Sequence, residues 1–598
     1  MTSGAKQIVL TVLLLLLLCV PLAMRRLGKN ETALPRPGTP AGEGARSGFA
    51  LRDVAKEWGL AFQHRAPVLD PKLDPIMPMV ASMGASVSVV DFDRDGRQDL
   101  YVTSSAEGSQ NALFRNAANG KFEDVAGTLG VASLNEKGTG ASMGSVWGDY
   151  DNDGFEDLLL YKWGRPELFH NDGGKGFTRV TEKAGLPPRV NAGCAIWLDY
   201  DKDGWLDALI AGYWSEAIDL WHLDTTKIMA ESFEYANNGG RKYLLHNRGD
   251  GTFEEVAEKL GVTSHRWTLA IASGDLRHTG WPDIFLANDY GVSELYANQE
   301  GKGFSEIGVL SGVAEAPKSG MNASFGDVMN DGKLSIYVSN ISEEGVLLQG
   351  NNLWFPAWST DKGEVQYENR ARGMGVELGG WSFGAQWGDL DLDGNLDLYL
   401  ANGYVSADPK ESYWYDFAQI AGGHTRIIGD AASWPAMRGR SLSGFQPKHL
   451  WLNDGQGRFR EVAQSAGARD TYDGRAVALA DLDGNGTLEV IVANQNGPLV
   501  VYDTAAPAGR HWVGFQLEGR ASNRSAIGAQ VRLYRNGRVQ LQEVYGGCGY
   551  SAENQRWIHF GLGADPRIEK VVITWPSGKE QEIASPAAGT IHLVKEPA

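Results

Sequence analysis

A nonapeptide with carboxylates at positions 1, 3, 5 and 9 and glycine at position 6 recurs along this chain, and it restricts the fold more than any other feature. It reads Asp91-Phe-Asp-Arg-Asp-Gly-Arg-Gln-Asp99, Asp149-Tyr-Asp-Asn-Asp-Gly-Phe-Glu-Asp157, Asp199-Tyr-Asp-Lys-Asp-Gly-Trp-Leu-Asp207 and Asp389-Leu-Asp-Leu-Asp-Gly-Asn-Leu-Asp397. A further copy, Asp481-Leu-Asp-Gly-Asn-Gly-Thr-Leu-Glu489, carries Asn485 and Glu489 at positions 5 and 9, both still oxygen donors. Side chains at 1, 3, 5 and 9 with the backbone carbonyl of 7 can wrap a hard cation, the glycine permits the sharp turn, and calcium is the natural occupant. The ligands expected are Asp91, Asp93, Asp95, Arg97 and Asp99; Asp149, Asp151, Asp153, Phe155 and Asp157; Asp199, Asp201, Asp203, Trp205 and Asp207; Asp389, Asp391, Asp393, Asn395 and Asp397; and Asp481, Asp483, Asn485, Thr487 and Glu489. Arg97, Phe155, Trp205, Asn395 and Thr487 enter through their carbonyls. Two copies have decayed, Asp275 to Asp283 and Asp327 to Ser335, and no tight metal is expected in either. These seven nonapeptides are numbered loops 1 to 7 in chain order.

The loops are not EF-hands. Position 12 is Val102, Leu160, Ile210 or Leu400 where an EF-hand places a bidentate Glu, and the flanks read as strands rather than helices. Each loop therefore joins two strands of a hairpin. One copy alone could be a solvated acidic turn, but five in one register argue for an ion, because carboxylates this close repel one another without one.

A second marker has an aromatic or apolar residue, two spacers, a branched apolar residue and a glycine five positions on, as in Phe122-Glu-Asp-Val125 with Gly130 and Phe459-Arg-Glu-Val462 with Gly467. Seven copies exist, the first being Leu51-Arg-Asp-Val54, and from marker to next loop the distances are 37, 24, 19, 19, 20, 19 and 19 residues. The near-constant spacing makes marker and loop parts of one unit. A third strand ending in Asn116, Asn171, Asn247, Asn298 or Asn453 lies between them, so each unit is four short strands, the blade of a β-propeller. The last loop is followed by only two strands, and Phe49 to Val54 supplies the missing one, which closes a seven-bladed ring spanning residues 49 to 508. Two insertions interrupt the pattern. Ser215 to Arg241 contains a helix-like run from Thr226 to Tyr235, and Tyr404 to Pro447 carries an aromatic cluster that is either a binding surface or a small core of its own.

From residue 509 to 598 a different β pattern makes a small second domain, with hairpin turns at Arg535-Asn-Gly-Arg538 and Trp575-Pro-Ser-Gly578. Here a family resemblance is specific. The loops resemble FG-GAP/VCBS propeller repeats of the kind found in integrin α-chain heads. The run Ser522-Asn-Arg-Ser-Ala-Ile-Gly-Ala529, with Gly546-Gly-Cys-Gly-Tyr-Ser551 and Phe560-Gly-Leu-Gly563, resembles the ASPIC/UnbV domain of cartilage acidic proteins and bacterial exported proteins. The resemblance implies an all-β, calcium-binding propeller with an appended β domain, and it carries calcium positions onto loops 1, 2, 3, 6 and 7 only.

Lys6, the uncharged run Ile8 to Met24 and Arg25-Arg26 read as a signal peptide or N-terminal membrane anchor, and residues 25–48 as a Pro/Gly-rich tether. Export is expected, to the periplasm, cell surface or medium. A net charge of −19 argues against nucleic acid. Cys194 and Cys548 are expected to be buried thiols, and Cys548 is also a minor candidate for a reactive one. No His-Glu-X-X-His, Gly-X-Ser-X-Gly or Walker motif is present. The function expected is a monomeric, non-enzymatic calcium-binding scaffold for adhesion to an extracellular protein or glycan. The alternative is an enzyme or biosynthetic accessory protein using the propeller's central funnel.

Overall fold

The computed structural model describes residues 48–598 except 118–119, 361–362 and 424. The expected leader, anchor and all but the last residue of the tether lie outside the described residues. The chain is built almost wholly of short antiparallel strands, arranged in a propeller-like ring. Seven sheets of the expected kind follow one another, each pairing its strands in sequence order. The first comprises Val87–Val90, Asp99–Val102, Ala112–Asn116 and Phe122–Asp124, and the second Gly140–Gly148, Asp157–Gly164, Glu167–Asn171 and Phe177–Arg179. The seventh takes three strands from Gly474–Ala480, Glu489–Asn494 and Val500–Ala505 and its fourth from Ala50–Asp53, with Leu51 opposite Thr504.

Register explains why the nonapeptide recurs. In every sheet the residue before loop position 1 pairs with position 9: Val90 with Asp99, Gly148 with Asp157, Leu198 with Asp207, Gly274 with Asp283, Gly326 with Ser335, Gly388 with Asp397 and Ala480 with Glu489. The glycine of the second marker also has a physical reason. It ends a single helical turn after the fourth strand in the left-handed conformation that glycine adopts without strain, as Gly130 does at φ 84°.

The first two strands of the sheets are buried on both faces, and apolar clusters fill the gaps between neighbours. Val90, Tyr101, Trp147 and Leu160 join sheets 1 and 2, Tyr399, Leu450, Val477 and Val490 join 6 and 7, and Val87, Leu100, Ala478 and Ile491 join 7 back to 1. The insertions emerge at the end of the sheets opposite the loops. Residues 215–241 contain no helix, a correction to the expected run from Thr226 to Tyr235. Tertiary packing overrides helix periodicity there, since Phe233 is drawn against Tyr290, Phe417 and Trp434 and the Met229 N–H bonds the Gly429 carbonyl. The aromatic cluster of the second insertion proves to be core: Tyr413, Trp414, Phe417 and Trp434 are all buried, on and beside a helix over Trp414–Ala421. Arg475 reaches this end from the seventh sheet. It is fully buried and donates to the Ser82, Gly403 and Tyr404 carbonyls, satisfied without a carboxylate partner.

Residues 509–598 form a four-stranded sheet, Gln530–Arg535, Arg538–Glu543, Lys570–Thr574 and Glu580–Ala584, and a three-stranded one, His511–Glu518, Ile558–Gly563 and Ile591–Lys595. Residues 48–598 nevertheless lie in one compact unit, because this segment sits on the ring's loop end and sends a peg into its centre. Ala552–Glu553 adds to the first sheet, parallel to Val87 and Ser88. Around the same peg, the Trp197 N–H donates to the Gly546 carbonyl, Gly549 N–H to the Ala323 carbonyl, Trp147 N–H to Glu553 Oε2, Gln386 Nε2 to Cys548 Sγ, and Leu479 N–H to Asn554 Oδ1. Inner strands of six sheets thus grip one ten-residue segment.

Candidate metal centre

All seven loops share one backbone shape. In loops 1 to 6 position 1 accepts the N–H groups of positions 5 and 6: Asp149 Oδ1 and Oδ2 take Asp153 and Gly154 at 2.9 and 2.7 Å, and Asp389 takes Asp393 and Gly394 at the same distances, while in loop 7 Asp481 takes Gly484 and Gly486, positions 4 and 6. Asp275 and Asp327 in the decayed loops do likewise, at 2.8 to 3.0 Å. Position 4 lies in the left-handed region throughout, from Asn330 at φ 52° to Lys202 at 60°, and loop 7 places Gly484 there. The turn is therefore held by its own first aspartate, and the remaining carboxylates are available for an ion.

Position 9 is the anchor. Asp99, Asp157, Asp207 and Asp397 are fully buried, and each accepts the N–H of the strand-ending asparagine, at 2.8 to 2.9 Å from Asn116, Asn171, Asn247 and Asn453. The side-chain amides of these asparagines, and of Asn298, reach across to the carbonyl of position 2 in the preceding loop: Asn171 to Phe92, Asn247 to Tyr150, Asn298 to Tyr200, Asn453 to Val328, and Asn116 to Leu482. Each latch ties one sheet to its neighbour's loop. The last of these closes the ring.

The structure brings carboxylates within ion-binding reach of one another in Asp91, Asp93 and Asp99, in Asp149, Asp151 and Asp157, and in Asp199, Asp201 and Asp203. In loop 6, Asp389, Asp391, Asp393 and Asp397 repel one another in the same way, as do Asp481, Asp483 and Glu489 in loop 7. Burial, with neighbouring carboxylates adding to it, lifts Asp149 and Asp199 to about 8, Asp157 and Asp207 to about 7, and Asp91 and Asp481 to about 6. Asp397 and Glu489 rise well above the carboxylate range for the same reason. Buried oxygens without partners, Oδ1 of Asp93 and Oε1 of Glu489 among them, complete a donor set that fits a hard divalent cation.

Three side chains escaped the sequence reading. Arg115 lies 2.6 Å from Asp93, His170 Nδ1 is 3.2 Å from Asp151 and 3.4 Å from Asp157, and His246 Nδ1 is 3.3 Å from Asp207. Each stands immediately before a latch asparagine, and that spacing was the available signal. Loop 4 has gone further: Arg277, at position 3, pairs with Asp283 at position 9.

The C-terminal segment roofs the loops. Arg524 N–H donates to Asn152 Oδ1, Asp149 N–H to Ser525 Oγ, Leu541 N–H to Asp327 Oδ2, Gly563 N–H to the Leu392 carbonyl, and His559 Nε2 lies 2.9 Å from the Gly486 carbonyl. Glycine is required at 561, where a Cβ would collide with Asp389 Oδ2. Cys194 and Cys548 are buried and free, and burial pushes the Cys548 thiol up to about 11, the opposite of a reactive thiol. Among the described residues no helix is long and apolar enough to cross a membrane.

An FG-GAP-like repeat model matches residues 91–160, 149–210 and 441–492, and an ASPIC and UnbV model matches residues 519–598. Cartilage acidic protein 1 from Homo sapiens is 25% identical over 348 residues, covering 57% of this chain and 38% of that protein. The Xenopus tropicalis protein is 23% identical over 339 residues, covering 56% and 45%. The chain thus matches less than half the length of these relatives. Among solved structures, an Agrocybe aegerita lectin recognising non-reducing terminal N-acetylglucosamine aligns with TM-score 0.35 at 14% identity, covering 65% of this chain and 84% of the lectin. The V. cholerae biofilm matrix protein Bap1 aligns with TM-score 0.29 at 11% identity, covering 88% and 76%.

Proposed function

We propose, for a chain that carries FG-GAP-like repeats and an ASPIC and UnbV domain, that it works as an exported calcium-binding scaffold for a protein or glycan partner at the cell surface, with no catalysis of its own. The observation that carries this reading is the ring of buried carboxylate loops lying under the C-terminal sheets. Ions in loops 1, 2, 3, 6 and 7 would neutralise charge that is otherwise trapped between two packed layers. Their ligands would be the five sets read from the sequence, Asp91 to Asp99, Asp149 to Asp157, Asp199 to Asp207, Asp389 to Asp397 and Asp481 to Glu489.

The filled centre of the ring also supports a scaffold over a funnel enzyme. Residues 546 to 555 occupy the space where a funnel site would lie, bonded to the inner strands. What remains for recognition is the outer surface and the clefts at the rim. Calcium titration by calorimetry tests the metal reading, with about five sites expected. Pull-down of extracellular proteins and glycans with calcium and with EDTA tests the partner. Calorimetric silence toward calcium would remove the basis of the proposal.

A further inference from the structure

An indentation between ring and roof lies over loops 1 and 2, a cleft of about 450 Å³ with Asp91, Arg94 and Asp149 on the ring side and Arg524, Arg556 and Lys595 on the roof. Its charges are unevenly matched. Glu518 Oε1 lies 3.2 Å from Arg524 Nη2, and its Oε2 lies 3.0 Å from Lys595 Nζ and 3.6 Å from Arg94 Nη2. One carboxylate therefore serves three cations, whose side chains remain 36%, 58% and 42% exposed in the same order. The two guanidinium groups also converge: a Cβ on Gly154 would stand 2.6 Å from Arg94 Nη1 and 3.3 Å from Arg524 Cζ. Such proximity of like charges calls for more anionic oxygen than Glu518 supplies.

On the ring side Asp95 and Glu156 join Asp91 and Asp149, and a divalent ion in each of loops 1 and 2 would offset four of the loops' negative charges. This balance rests on the metal reading given above. Gln98 and Gln516 bring amides to the walls, and Leu517 and Trp557 apolar surface. The volume falls within the range of roughly 300 to 1,000 Å³ usual for small-ligand sites. We infer that this cleft binds an acidic saccharide. The ligand's carboxylate takes the open donors of Arg94, Arg524 and Lys595, and its ring hydroxyls take the amides. Planar guanidinium forks favour carboxylate for its matching two-oxygen edge.

Calorimetry on the whole protein in millimolar calcium, with digalacturonate, neutral lactose and inorganic sulfate as probes, tests this. Digalacturonate is expected to bind, and lactose and sulfate at least tenfold more weakly. The variant R524Q/K595Q, whose changes lie on accessible roof side chains outside the loops, should weaken digalacturonate binding at least tenfold and leave the calcium isotherm unchanged. Equal binding of lactose would show no role for charge, and equal binding of sulfate would reduce the cleft to an inorganic anion site. Unaltered affinity in the variant, or no binding to protein whose calcium isotherm is normal, would overturn the assignment. Absence of a calcium isotherm would instead fail the metal reading, and digalacturonate binding under that condition would leave the cleft standing without it.

Discussion

Arg277 Nε donates to Asp283 Oδ1 at 2.9 Å, so loop 4 carries its own cation at the place where loops 1, 2, 3, 6 and 7 present an aspartate. The guanidinium also bonds the Asn298 carbonyl at 2.7 Å and is nearly buried, with Asp283 wholly so. Arg277→Ala would strand that carboxylate. A loss of about 3 to 5 kcal/mol is expected, equal in calcium and in EDTA, as read from denaturant midpoints. Arg277→Asp should differ, destabilising in EDTA and recovering part of the loss in millimolar calcium because it restores the position 3 oxygen. Recovery of neither kind would mean that the pair is not a substitute for an ion.

Ion-free protein should lose stability as pH rises. Burial holds Asp149 and Asp199 at about 8, above the roughly 4 of an unfolded aspartate, so the folded chain retains protons that the unfolded chain has released. The stabilisation is whole below about pH 4 and is lost as pH climbs through about 8. Melting temperature in EDTA should therefore fall between pH 5 and pH 8.5, while millimolar calcium, which binds the ionised form, should flatten or reverse the slope. Parallel slopes in both conditions would count against ions in these loops.

Gly561→Ala tests contact between roof and loop. The new methyl collides with Asp389, a predicted ligand of loop 6. Overpacking of this sort costs about 1 to 3 kcal/mol. Calorimetry should show one calcium site weakened and the others unaffected, together with a lower melting temperature. An unaltered isotherm would show that loop 6 takes no ion or that the roof yields freely.

The peg is expected to be structural. Glu553 accepts from the Trp147 N–H at 2.9 Å and from Arg556 Nη2 at 2.7 Å, and it is 2% exposed. Glu553→Ala leaves both donors without that acceptor and should cost about 3 kcal/mol by thermal or denaturant unfolding, while Glu553→Gln keeps an acceptor and should cost less. A neutral alanine variant would mean that the peg is dispensable.

The regular parts of this molecule were legible because they repeat. Aspartate spacing located the hairpin loops, and the second marker, with its glycine, located the fourth strands. The orphan strand Phe49 to Val54 fixed how the last sheet is completed. Parts that occur once were not legible. The run from Thr226 to Tyr235 has a helical pattern, but Phe233 within it is claimed by side chains almost 200 residues further on. The asparagine ending the third strand was visible, yet its bond to the neighbouring loop depends on how adjacent sheets pack, and the approach of His170 to Asp151 on how the third strand pairs within its own sheet. The peg gave no periodic signal at all, since Gly546 to Gln555 is shaped by six different sheets rather than by its own sequence.

Closure by Ala50–Asp53 has a consequence for biogenesis. During synthesis the lace that fastens the circle emerges ahead of the rest of the ring and waits about 450 residues for its eyelet at Val500–Ala505, while the stopper at 546 to 555 emerges later still. Through that interval the nascent ring has two raw edges and an empty hub, the open β-edges at which wrong pairing and aggregation begin.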